Sequence, residues 1–178
     1  DSHNESNPFF VLNPFEVSPL TGLLVFETDT EQQFEIVVKG KVSEADMSFV
    51  SSKSMTHFIP VYGLYADYNN TVELYSYSNQ GRGTLLSTTN IQTEPLPDGV
   101  SLPTSLDTTF DYFGTDLMIL IPAMKSLPVG YDYNGDIRWY LTSNYSWAPT
   151  LLENGHLLLG TDRLINDPYY VTGLYEID

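Results

Sequence analysis

The chain has 178 residues, of which 42% are hydrophobic, so it is long enough for one ordinary domain or for a small domain and part of a second. Its 7 Lys+Arg and 23 Asp+Glu give a formal net charge of −16, which repels polyanions and makes nucleic acid a poor partner. Cysteine is absent, which excludes disulfides and thiolate chemistry. The longest wholly apolar run, residues 117–121, is too short to span a bilayer, so membrane insertion is not expected.

The first forty residues predict extended structure. Three prolines in residues 7–22 forbid a helix interior and favour an edge segment. A strand over 23–28, a polar turn at 29–31 and a second strand over 33–39 follow. In the second strand the alternating pattern places one set of side chains on the core, Phe34, Ile36 and Val38, and another set in water, Glu35 and Lys39.

The next fifty residues predict further short strands. Residues 43–46 could cap a short helix, but no helical apolar stripe follows them, so a loop is expected. Residues 56–61 predict a strand whose Pro60 favours an edge or a strand end. Residues 71–77 and 83–89 predict two strands joined by a turn at 79–82. Short strands at this spacing are typical of an immunoglobulin-like β-sandwich.

A proline-rich connector separates this region from the remainder of the chain. Prolines 95, 97 and 103, with glycine, serine and threonine around them, mark the best domain boundary. The predicted division is therefore a β-sandwich domain over 1–94, a connector over 95–115, and a third region over 116–178. This region opens with a buried-type strand at 117–123.

The third region is organised around an Asn-Gly hairpin. Asn134-Gly135, flanked by aromatic and β-branched residues, predicts a type I′ turn. A second turn at 153–156 and a strand-like run at 169–178 follow. Together they predict one meander of three or four antiparallel strands, the length of a β-propeller blade. A lone blade cannot bury its faces, so we expect the rest of the propeller to be missing from this chain.

The hairpin also contains half of a calcium-loop pattern. Asp132, Asn134 and Asp136 occupy alternate positions, but Ile137 stands where the sharp-turn glycine should be, and no bidentate Glu follows. A plain hairpin turn is therefore expected here, and no metal site.

No other constellation predicts catalysis. His3, His57 and His156 are widely separated and none has a metal-ligand partner at close spacing, so structural or surface roles are expected. A nucleophile-elbow pattern is absent, and the glycines around Arg82 are too few for a phosphate cradle. We therefore predict no catalytic, cofactor-binding or metal-binding residue within the chain, and no cofactor.

Tyrosine is abundant, with 13 residues. Two interpretations stay open: cross-strand aromatic packing, or an aromatic surface for a sugar or phenol. The tyrosines cluster at Tyr62, Tyr65 and Tyr68, and at Tyr131, Tyr133 and Tyr140.

Three stretches, residues 13–21, 59–72 and 132–141, resemble bacterial aryl-sulfate sulfotransferases, the enzymes that do not depend on 3′-phosphoadenosine-phosphosulfate. The first two resemble the family's N-terminal β-sandwich, and the third resembles the entry into its six-bladed β-propeller. The resemblance implies ping-pong transfer of a sulfuryl group between phenols through a histidine nucleophile, with other histidines, an asparagine and an arginine stabilising charge on the sulfate oxygens. Those residues lie on later blades of the family's propeller. His57 and His156 do not match their motifs, so no catalytic role is carried onto either.

The resulting hypothesis is an all-β chain, an immunoglobulin-like β-sandwich followed by a partial first propeller blade. It would be the N-terminal fragment of an extracytoplasmic bacterial aryl-sulfate sulfotransferase (periplasmic, secreted or at the cell surface), and inactive alone. The full-length parent would take an aryl sulfate donor and a phenolic acceptor, and the sandwich would serve packing or dimerisation, with a homodimer as the candidate assembly. The alternative is a stand-alone extracellular binding or adhesion module that uses its tyrosine-rich face. The reading frame beyond Asp178 separates the two.

Overall fold

A computed structural model describes residues 3–100, 102–105, 118–120, 127–142, 147–163 and 171–177. Much of the predicted connector, and the ends of the strand predicted at 117–123, lie outside these residues. Within them the secondary structure is all β apart from one turn of 3₁₀ helix at Ser43–Ala45, in the segment predicted as a loop. The strands are β1 (Phe9–Leu12), β2 (Gly22–Val38), β3 (Met47–Val50), β4 (Ser54–Val61), β5 (Asn69–Ser78), β6 (Gly81–Gln92), β7 (Met118–Leu120), β8 (Val129–Tyr131), β9 (Ile137–Tyr140), β10 (Trp147–Leu151), β11 (Leu157–Arg163) and β12 (Val171–Ile177).

The long strand β2 organises the sandwich. Its first half pairs with β1 and β4, and its second half pairs with β3 and β5, which in turn pairs with β6. The polar turn predicted at 29–31 is therefore wrong, because the strand runs through this stretch. Residues 29–31 are exposed where β2 passes from one half of the sheet to the other, so their polarity reflects contact with water.

The sheet curls so that both halves of β2 contribute to one hydrophobic core. Phe26 from the first half and Phe34 from the second meet edge to face, with ring centroids 5.0 Å apart. The predicted core face of residues 34–38 is confirmed, since its three members are fully buried. The same core cluster contains side chains from β4 and β5, namely Ile59, Val61, Val72 and Leu74. An immunoglobulin-like sandwich is thus confirmed as the fold of this region.

The opposite face of β2 differs from the prediction. Glu35, expected in water, is 8% exposed, and Val37 on the same face is 2% exposed. Arg82 covers Glu35 with two hydrogen bonds, from Nε to Oε2 at 2.8 Å and from Nη2 to Oε1 at 2.6 Å. This face is buried because β3 and β5 flank β2 and an arginine from β6 lies across it.

The Asn-Gly hairpin is present, but its turn is of another type. Gly135 has a φ of 77°, whereas Asn134 does not enter the left-handed region that a type I′ turn needs at both positions. Gly135 N–H donates to the Asp132 carbonyl at 2.9 Å, and Asp132 N–H donates to the Asp136 carbonyl at 2.9 Å. The loop is therefore a three-residue connection, residues 133–135. Its four-residue turn begins at Asp132 and ends at Gly135, the glycine with positive φ.

Among the described residues after 116, the strands form two sheets, where one meander was predicted. One sheet has the order β7-β8-β9 and the other β10-β11-β12, and all their pairings are antiparallel. The assignment of these strands to a propeller blade stays a prediction. No helix in the described ranges is long and apolar enough to cross a membrane.

The core of the sandwich continues into the first of these sheets. Val129, Ile137 and Tyr140 of the β8–β9 hairpin are at most 6% exposed and belong to the same core cluster as the residues of β2. Outside the strands, Thr142 N–H donates to the Val17 carbonyl at 3.0 Å. The hairpin is thus packed on the immunoglobulin-like domain.

Candidate functional site

His57 is a core residue. It is 2% exposed, stacks on Phe26 with ring centroids 4.7 Å apart, and meets the edge of Phe34 at 4.8 Å. Its Nε2 lies 3.3 Å from the Thr28 hydroxyl oxygen. Burial lowers the pKa of His57, against smaller opposing effects of the Ser54 carbonyl and the Glu5 charge. The ring is therefore held neutral and is packed between two phenylalanines of the core.

His156 lies in a hydrogen-bonded cluster at the surface. Its Nδ1 is 2.7 Å from Glu176 Oε1, and Asn154 Nδ2 donates to the same oxygen at 3.0 Å. The hydrogen bonds from Asn154 and His156 lower the pKa of Glu176. His3, the third histidine, lies against the Phe9 ring with centroids 5.2 Å apart. Across the described residues, no group of three or more His, Asp and Glu side chains is arranged to hold a metal ion.

The Asp132 carboxylate is used by the hairpin itself. Oδ1 accepts hydrogen bonds from the N–H groups of Asn134 at 2.9 Å and Asp136 at 3.0 Å. Oδ2 accepts one from Arg138 Nη1 at 2.9 Å. Both oxygens are occupied by donors, which supports the plain hairpin predicted here over half of a calcium loop.

Arg138 lies at the junction between the hairpin and the immunoglobulin-like domain. Its side chain is fully buried. Nε donates to the Gly63 carbonyl at 2.7 Å, and Nη1 donates to the Ala45 carbonyl at 3.1 Å and to the Tyr65 hydroxyl at 2.9 Å. The guanidinium carbon is 3.9 Å from the centroid of the Tyr65 ring, a cation–π contact. Arg138 thus joins the Asp132 carboxylate of its own hairpin to three residues of the domain.

The acceptors around Arg138 are fixed by local structure. Gly63 has a φ of +82°, and a Cβ at this position would lie 2.2 Å from Met47 Sδ, so both backbone conformation and space require glycine. The fully buried Asn70 side chain accepts from Tyr65 N–H at 2.7 Å and donates to the Tyr65 carbonyl at 3.0 Å. The Asn70 side chain therefore fixes both the N–H and the carbonyl of Tyr65, the residue whose phenol contacts Arg138.

Burial is the largest influence on the Tyr65 phenol and raises its pKa, although hydrogen bonding from the Lys41 amide and the nearby Arg138 charge oppose this. At neutral pH the hydroxyl is therefore protonated and accepts from Lys41 N–H at 3.1 Å. The Lys41 side chain forms an ion pair with Asp136 at 2.7 Å at the rim. Because this pair is partly exposed, it contributes at most a small stabilisation, roughly 0–1 kcal/mol.

Sequence reasoning missed Arg138, Tyr65 and Gly63 as a unit. The available signal was compositional, because the chain has only 7 Lys+Arg and one of them stands within the apolar run of β9. A cation in such a run needs a buried partner, and the nearest carboxylates in the sequence belong to the preceding loop.

The tyrosine clusters do not form one exposed aromatic surface. Tyr65 and Tyr140 are buried, while Tyr62 and Tyr68 are about half exposed. Tyr62 meets Phe49 with ring centroids 5.7 Å apart, beside an open groove of about 400 Å³ between β3 and β4. The groove is lined by apolar and hydroxyl side chains together with His57, which is buried and neutral. The structure thus favours the packing interpretation for Tyr65 and Tyr140.

The comparison with protein families agrees with this architecture. The model of the arylsulfotransferase Ig-like domain matches residues 9–94. A search of curated protein sequences gave no significant match. The matched range contains β1 to β6, the whole curled sheet around β2. Residues 9–94 therefore match the arylsulfotransferase Ig-like domain family, which confirms the resemblance of residues 13–21 and 59–72 to the N-terminal region of these enzymes.

Proposed function

We propose that this chain is the N-terminal portion of an aryl-sulfate sulfotransferase, which moves a sulfuryl group from an aryl sulfate to a phenol through a covalent sulfo-histidine located beyond the chain. The observation that carries the proposal is the match of residues 9–94 to the arylsulfotransferase Ig-like domain. The parent enzyme acts outside the cytoplasm under this proposal.

The side chains of the described residues support a site elsewhere. Sulfuryl transfer needs an accessible nucleophile and cationic groups that stabilise the sulfate oxygens. His57 is buried and neutral, and the His156 ring at the surface is hydrogen-bonded to Glu176. The two arginines with described side chains, Arg82 and Arg138, are paired with Glu35 and Asp132. A net charge of −16 also opposes capture of an anionic sulfate ester. The immunoglobulin-like domain therefore serves as a packing module for the enzyme.

A homodimer is part of this proposal, and the outer face of the β1-β2-β4 layer supports it. Its paired residues form two apolar rows, Phe9–Val25–Phe58 and Val11–Leu23–Pro60. Phe9 is 49% exposed and Phe58 is 64% exposed. Because these rows carry no charge, two copies of a chain of net charge −16 can meet here without opposing carboxylates. Light scattering of Phe58→Ser and of wild type tests this, and equal masses at equal concentration would contradict it.

The alternative, a binding or adhesion module with a tyrosine-rich face, has less support because Tyr65 and Tyr140 are inside the core. The test of the main proposal is sulfuryl transfer from 4-nitrophenyl sulfate to phenol, which is monitored by the release of 4-nitrophenolate. We expect no turnover by these 178 residues, and turnover with a sulfurylated histidine when the following reading frame is included. Turnover by the 178 residues alone would refute the proposal, and so would a longer protein in which no histidine becomes sulfurylated.

A further inference from the structure

The two Asn-Gly loops of the chain have the same backbone. In the first, Asp132 N–H donates to the Asp136 carbonyl at 2.9 Å, and in the second Leu152 N–H donates to the His156 carbonyl at 2.8 Å. Gly135 and Gly155 occupy the same place, with φ values of 77° and 86°. A carboxylate at the position directly before the three-residue loop is therefore unnecessary for this turn.

The two hairpins differ at the positions that bear the ion pair. Counting from the shared Asn-Gly, Asp132 corresponds to Leu152 and Arg138 corresponds to Leu158. Since the second hairpin forms its loop with leucine at both places, turn formation does not account for the pair. Its function must lie in what Arg138 contacts outside the hairpin.

The described contacts of Arg138 outside its hairpin lie in the immunoglobulin-like domain. Arg138 reaches Ala45, Gly63 and Tyr65, and its guanidinium is completely buried. Burial of a charged pair is costly compared with an apolar packing of the same volume, and its best-attested advantage is to specify one arrangement. The acceptors are two backbone carbonyls and the phenol of Tyr65, a residue whose backbone is held by Asn70. The guanidinium can therefore reach all three in only one position of the hairpin.

Apolar packing completes the same interface. Val129, Ile137 and Tyr140 share a core cluster with Met47 and Leu64, which lie beside Ala45 and Gly63. An opening of the hairpin would therefore expose part of the domain's own core as well as a buried cation.

We propose that Asp132 and Arg138 form a docking lock that makes the β8–β9 hairpin part of the cooperative folding unit of the immunoglobulin-like domain. The unit then extends past residue 94, where the family model ends, and the domain fixes the position of the first sheet that follows it. The partner that this surface takes is a hairpin with an aspartate directly before its three-residue loop and an arginine six residues after that aspartate. The proposal goes beyond the proposed function, because it concerns folding and does not depend on sulfuryl transfer.

Native-state hydrogen exchange of the whole chain tests the lock. In wild type, amides of β8 and β9 should open with the same free energy as those of Phe34–Val38, since both belong to one unit. In Arg138→Met, amides of the hairpin should exchange ~100-fold faster or more, because the variant leaves the Asp132 carboxylate buried and unpaired. The control Leu158→Met changes the corresponding position of the second hairpin and should leave both sets of amides unchanged.

Two results would overturn the proposal. One is a wild-type hairpin that opens independently, with weaker protection than Phe34–Val38. The other is an Arg138→Met variant with unchanged protection in both segments. Joint loss of protection in the hairpin and the domain would support the proposal, because it would show one cooperative unit. The readout does not involve activity, so it is separate from the test of the proposed function.

Discussion

A fall in pH below neutrality is expected to destabilise the immunoglobulin-like domain through His57. Burial lowers the pKa of this side chain in the folded state, while in the unfolded chain it returns to ~6.5. As the pH falls, the unfolded chain therefore takes up the proton first. The stabilisation is complete above the unfolded pKa and is lost below it, by up to ~1.4 kcal/mol for each pH unit until the folded ring is itself protonated.

The surroundings of His57 determine this sign. The ring lies between Phe26 and Phe34, and the neighbouring groups that favour a proton, the Ser54 carbonyl and the Glu5 carboxylate, have less effect than burial. The Thr28 hydroxyl is not left unpaired if the ring is replaced, because it also donates to the Thr30 carbonyl at 2.8 Å. His57→Phe is therefore a suitable non-titrating variant.

The assay is urea unfolding of wild type and His57→Phe, monitored by circular dichroism at several pH values between about 5 and about 8. The 23 acidic residues contribute to the pH dependence of both proteins, so the informative quantity is the difference between their unfolding free energies. We expect the free energy of unfolding of wild type to fall relative to that of His57→Phe below pH ~6.5. A difference that stays constant across the range would refute the reasoning.

Three further predictions concern individual contacts. Arg82→Met removes the ion-pair partner of the buried Glu35 and should lower the free energy of unfolding by about 1 kcal/mol at neutral pH. Because the arginine lowers the pKa of Glu35, this loss should shrink as the pH falls through that pKa, and equal losses in urea unfolding at neutral pH and below that pKa would contradict the prediction. Asn70→Ala removes the fully buried amide that holds Tyr65 and should cost about 2–3 kcal/mol, so an unchanged melting temperature would argue against it. Gly63→Ala should destabilise more than Gly81→Ala, because both have positive φ but only the former meets a neighbouring atom; equal melting temperatures would contradict this.

Much of the sandwich could be predicted from local pattern. The buried alternation of Phe34, Ile36 and Val38, the edge position of the strand with Pro60, and the hairpin of β5 and β6 follow from side-chain periodicity and turn chemistry. The passage of β2 between the two halves of the sheet could not be predicted from local pattern, because a polar stretch within a strand and a polar turn have the same composition. Glu35 was placed in water because the arginine that covers it is 47 residues away in sequence.

The junction was the least predictable part. A proline-rich connector indicated two separate domains, yet Arg138 crosses the proposed boundary to the Gly63 carbonyl, 75 residues away. Sequence pattern reports which residues prefer burial, and Val129 and Ile137 fit that pattern. It does not report which distant surface buries them, because that depends on the curled sheet and on the carbonyls that Gly63 and Ala45 present.

The Nε–H signal of Arg138 in the nuclear magnetic resonance spectrum of the whole chain tests the docking of the hairpin most directly. We expect slow exchange with water and nuclear Overhauser contacts to Tyr65. We also expect an upfield shift, because the guanidinium carbon of Arg138 lies 3.9 Å from the centroid of the Tyr65 ring. Arg82, whose side chain is 45% exposed, provides the internal reference for faster exchange. An Arg138 signal that exchanges as fast as that of Arg82 and has no contact to Tyr65 would contradict the docking of the hairpin on the immunoglobulin-like domain.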